Sequence, residues 1–141
     1  MSPEEYQIWT LFNSFRIGSG LAFVATAIFI WLGFRIAVGT RVPASGEEPQ
    51  MIGKIMSSIF CLLVCMGTWV QWTEYAANYI ASAYALSELK DSGTSITEVA
   101  EGWITYVGTT EATAMPTPLG IAFIVIVGIM YAAIIWTPKK I

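Results

Sequence analysis

The sequence predicts an all-α membrane protein, and three observations predict it. The chain is 55 % hydrophobic but only 12 % charged, against about 25 % charged in soluble domains. Mean hydropathy is +0.62, and six Trp, six Tyr and seven Phe add aromatic weight. Three uncharged runs of spanning length interrupt an otherwise acidic chain, and there is no fourth. The 141 residues fit a single three-span transmembrane domain covering 1–141.

The first run, residues 17–34, lies between Arg16 and Arg35 and holds 18 residues. At 1.5 Å per residue that is about 27 Å, close to the hydrocarbon thickness. A membrane helix is expected over about 10–39. Its approach reads as a helix start: Ser2 as N-cap, Pro3 at the first helical position, Glu4 and Glu5 in the first turn. That acidic start lacks the basic region of a cleavable signal. The second run, 55–73, lies between Lys54 and Glu74, and no Pro or Gly stops it from Thr68 to Lys90. A helix over about 52–89 follows. Ser95 and Glu98 form a capping box. Ile96, Val99, Trp103 and Val107 then recur at helical spacing, which predicts a short amphipathic surface helix over about 95–108. Residues 115–118, "MPTP", end that loop, and the apolar run 119–136 predicts a last span over about 117–137.

Charge predicts the topology. Arg35, Arg41, Lys54, Lys139 and Lys140 fall on one side with only Glu47 and Glu48. Arg16 and Lys90 fall on the other, with Glu4, Glu5, Glu74, Glu88, Asp91, Glu98, Glu101 and Glu111. The basic side is expected in the cytoplasm. That puts the loop 40–53 and the C-terminus inside, and the N-terminus and the acidic loop 90–116 outside. The simple topology suggests a bacterial inner membrane.

Several chemistries have no residues to carry them. With no histidine, His-ligated haem, His-based zinc or copper and His acid–base catalysis are excluded. A net charge of −3 with no basic run argues against nucleic acid as a partner. There is no phosphate loop, no nucleophile with a base and no ionisable residue in mid-span. No catalytic or metal residue is expected. Cys61 and Cys65, at i and i+4, have the spacing to hold a soft metal such as Cu(I). No further ligand or compensating charge supports that, and they read better as small apolar side chains in a helix contact.

Arg16 raises the sharpest local question, because a guanidinium keeps its charge. If the first two helices are antiparallel neighbours, Arg16 and Glu74 share a depth and form an inter-helix ion pair. The alternatives are a snorkelling Arg16 bound to headgroup phosphate, or a contact with another subunit. Asn13, Arg16, Gln71, Glu74 and Asn78 are candidates for a polar pocket at the outer interface, beside Trp69, Trp72 and Tyr75. It would suit a quinone headgroup, a lipid headgroup or a small polar substrate. The plainer reading is inter-helix hydrogen bonding within an aromatic belt. Ser14, Gly18, Ala22 and Thr26 make a strip of small residues for close helix packing. Ser57, Cys61 and Cys65 make a second, and Gly120, Gly128 and Ala132 a weaker third.

The expectation is a non-catalytic accessory or structural subunit of a multi-subunit integral membrane complex, such as an oxidoreductase or other energy-conserving assembly. Its partners would be other membrane subunits and lipids. No cofactor is intrinsic, though apolar grooves could take lipid, quinone or carotenoid. The alternative is a homo-oligomeric channel or small-solute carrier. That would need a polar stripe along a whole span, and the second helix is polar only at its outer end.

Overall fold

A computed structural model describes residues 1–42 and 50–137. It contains four helices, α1 (Pro3–Arg41), α2 (Met51–Asp91), α3 (Glu98–Val107) and α4 (Pro118–Trp136), and no strand among the described residues. The protein is all-α, and α1, α2 and α4 are long and apolar enough to cross a membrane. Glu47, Glu48, Lys139 and Lys140, which weigh in the charge argument, lie outside the described residues.

Both ends of α2 and of α4 fall within two residues of expectation. The helix α1 runs beyond the membrane segment expected over about 10–39 and begins at Pro3, where Ser2 and Pro3 mark a helix start. Ser2 is the reason. Its hydroxyl accepts the Glu5 N–H at 3.1 Å, and its carbonyl accepts the Tyr6 N–H at 3.0 Å, so the first turn is capped. The start of α3 moves, from 95 to Glu98. Its N-cap is Thr97, not Ser95, so the expected capping box does not form. Gly108, at φ 74°, ends α3 in the left-handed conformation, and its N–H donates to the Ile104 carbonyl.

The chain divides into two compact units. The first comprises Met1–Leu21 and Trp72–Thr117, the second Ala22–Gln71 and Pro118–Ile141. In the second unit, pairs of touching residues fix the register. Thr40 and Ser57 share a short hydroxyl–hydroxyl hydrogen bond, and the Cys61 thiol donates to the Gly33 carbonyl. Rising numbers on α2 meet falling numbers on α1, so the two are antiparallel. Trp136 Nε1 donates to Ser58 Oγ at 3.1 Å, and Gly128 faces Cys65, so α4 is antiparallel to α2 and parallel to α1. The core is Ala37, Cys61, Val64, Val127, Tyr131 and Ile135.

Gly33 is buried at the tightest approach. A Cβ there would fall 2.5 Å from the Tyr131 hydroxyl and 2.8 Å from Cζ. Tyr131 is 2 % exposed and donates to the Ile30 carbonyl at 2.8 Å, so it has little room to yield. Gly33→Ala is therefore expected to cost about 1–3 kcal/mol by overpacking. Tyr131→Phe should cost about 1 kcal/mol through the lost hydrogen bond. Unfolding in detergent checks both, and the double variant should lose less than the sum, since both act on one contact.

Candidate functional site

In the first unit, the polar centre is a carboxylate. Glu5 is fully buried on α1. Thr97 Oγ1 donates to Glu5 Oε1 at 2.6 Å, the Thr97 N–H to Oε2 at 3.1 Å and Trp9 Nε1 to Oε1 at 3.2 Å. Thr97 Oγ1 in turn accepts the Ala100 N–H and caps α3. The carboxylate thus stands in the first turn of α1 and at the start of α3, where both helix dipoles favour negative charge. Burial pushes the Glu5 carboxyl up, but the hydrogen bonds from Thr97 and Trp9 outweigh it and hold the group below its ordinary value. With both oxygens engaged, the carboxylate acts as a clasp between α1 and α3.

Aromatic rings continue the clasp. Trp103 of α3 meets Trp9 at 6.0 Å, Phe12 at 5.0 Å, Tyr79 at 5.2 Å and Tyr106 at 5.6 Å between centroids. Each such pair adds about 0.5–1.5 kcal/mol beyond area burial. Trp103 Nε1 donates to Ser82 Oγ at 3.0 Å, and Ser82 donates to the Tyr79 carbonyl at 2.8 Å. The Tyr75 and Tyr79 hydroxyls lie 2.8 Å apart. The fully buried Ala83, Leu86 and Ala100 complete the core.

Arg16 does not pair with Glu74. Its guanidinium lies 5.8 Å from the centroid of the Phe12 ring, a cation–π contact one turn back along its own helix, and Glu74 is exposed. An exposed pair gains little and orders two long side chains, whereas Phe12 is already fixed by Tyr79 and Trp103. Among the described residues, Lys90 pairs instead with Glu101, at 2.7 Å. The five candidate pocket residues differ in their surroundings. Asn13, Arg16 and Glu74 are exposed, Asn78 lines a cleft of about 160 Å³ with Ile8, Phe12 and Ser82, and Gln71 belongs to the second unit.

The packing strips divide similarly. Ser57 and Cys61 are buried and Cys65 packs against the core, while Gly120 is buried and Gly128 half-buried. Ala132 is exposed at the rim of a small cleft beside Tyr131. Along α1, Ser14 and Gly18 are exposed, and a Cβ on Gly18 would meet nothing within 4 Å. Ala22 and Thr26 instead line a cleft of about 410 Å³ in the second unit, with Phe29 of α1 and Phe60, Gly67 and Gln71 of α2. Among the described residues, neither the Thr26 hydroxyl nor the Gln71 amide makes a side-chain hydrogen bond, whereas Thr68 in the same cleft donates to the Val64 carbonyl. No group of three or more metal-ligating side chains occurs among the described residues.

Sequence reasoning missed Glu5, Trp9, Thr97 and Trp103 as one cluster. The available signal was the spacing of Glu5, Trp9 and Phe12, which puts them on one face of a helix. The fold and these faces define a helical protein of membrane type. No protein-family model, curated protein or solved structure matches the chain.

The clasp predicts a pH dependence. Because the folded Glu5 titrates below its unfolded value, its stabilisation is complete above about pH 4.3 and is lost as pH falls through the folded value. Near-UV circular dichroism of the Trp9–Trp103 cluster should be flat from pH 7 to 5 and fall below that window. Glu5→Gln should abolish this dependence and cost about 1–3 kcal/mol at pH 7.

Proposed function

We propose that this chain is a non-catalytic accessory subunit of a multi-subunit integral membrane complex, an oxidoreductase or other energy-conserving assembly of a bacterial inner membrane. Its N-terminus faces outward and its C-terminus the cytoplasm. The observation that carries the reading is the unused surface of α1. Only 11 % of the residues in its most apolar window are buried, and Ser14 and Gly18 offer a flat, small-residue face that the chain itself leaves open. In lipid, apolar burial alone does not favour protein over acyl chains, so close backbone approach and interhelical hydrogen bonds carry association. A face of that kind suits another helix.

Purification in a mild detergent tests this. Unrelated membrane polypeptides at fixed stoichiometry are the expected companions, and Gly18→Leu should reduce their recovery at least tenfold while leaving the chain's own melting unchanged. A ring of identical copies, as for a channel or carrier, or a lone monomer overturns the proposal. In intact cells, a cysteine placed by Glu111→Cys should react with a membrane-impermeant maleimide, and protection there overturns the orientation.

A further inference from the structure

We propose that the cleft between α1 and α2 in the second unit binds the head ring of a membrane-soluble quinone. Its walls come from the two uncharged runs, so the medium around it is lipid. Thr26 lies about 14 Å of helix rise inside the charged end of its run, and Gln71 about 5 Å inside the end of its own. A hydroxyl and an amide therefore face an apolar cleft at hydrocarbon depth, with no hydrogen-bond partner among the described residues. An unmet donor is unfavourable in such a medium, where neither water nor an acyl chain can accept from it. The occupant should supply acceptors.

Chemistry narrows the choice. An acyl chain or a carotenoid hydrocarbon offers no acceptor and leaves both donors unmet. A phospholipid offers ester carbonyls, but it has no flat face to set against an aromatic ring. A quinone ring has a carbonyl at each end, one for the Gln71 amide and one for the Thr26 hydroxyl, and a flat face that stacks on Phe29 or Phe60. Phe29 is 55 % exposed, so its ring is open to such a neighbour. The volume, about 410 Å³, falls in the range of small-molecule sites, about 300–1,000 Å³. Gly67 opens the wall, since a Cβ there would meet nothing within 4 Å. The inference needs the membrane fold but not the accessory-subunit reading, so the two fail separately.

The full chain, purified in mild detergent and placed in phosphatidylcholine nanodiscs, is titrated with decyl-ubiquinone against protein-free nanodiscs. Saturable binding of one molecule per chain is expected. Gln71→Leu should weaken it at least tenfold and the near-isosteric Thr26→Val several-fold. Gly67→Leu, which fills the cleft, should abolish it, with helicity and melting unchanged in all three. Binding no greater than in empty discs overturns the proposal. So does binding that all three variants leave intact, or a tightly held phospholipid that the quinone does not displace.

Discussion

One turn of α1, from Ile30 to Gly33, holds three helices together. The Ile30 carbonyl accepts the Tyr131 hydroxyl from α4, and the Gly33 carbonyl accepts the Cys61 thiol from α2. Both contacts reach main-chain oxygens that already serve α1, and they are reachable because residue 33 has no side chain. Within lipid, water is not displaced when helices meet, so the drive to associate comes from close packing and such bonds. The register of the second unit follows from that turn: Ala37 and Cys61 bury beside it, and Thr40 reaches Ser57 two turns on.

The first unit is built by other means. Its core is aromatic and polar: Trp9, Phe12, Tyr79 and Trp103 are braced by hydrogen bonds from indole nitrogens and by the Glu5 carboxylate. Such rings carry large apolar area together with a polar handle. A buried glutamate is costly alone, but two helix starts, three donors and the nearby N-terminal ammonium answer this one. One chain thus uses two packing chemistries, each matched to its share of the sequence: small residues where the runs are uncharged, aromatics and acids where they are not.

The spans could be read from residues alone because uncharged length is a strong signal, and Lys54 and Glu74 bracket the second run clearly. The helix extensions could also be read, from Ser2 and Pro3 and from the absence of breakers before Lys90. What could not be read was which partner each polar residue would choose. Arg16 and Glu74 sit at matching ends of their runs, but Arg16 finds Phe12 on its own helix. Ser95 and Thr97 are both good caps, and Glu5, distant in sequence, selects Thr97 by bonding its hydroxyl and N–H together. Gly33 carried no signal either, because its role depends on Tyr131, which approaches from α4. Periodicity reports a face; it does not report what the face will meet.

The bond between Glu5 and Thr97 has a bearing on the order of assembly. It joins the first turn of α1 to a segment 92 positions later, and so non-local a contact is made only once its loop has closed. The amino-terminal turn is made first and finds its partner late, after all of α2 has been synthesised. Until then Trp9 and Phe12 stand without Trp103 above them. The α3 segment is thus the piece that covers the acidic, aromatic face of α1.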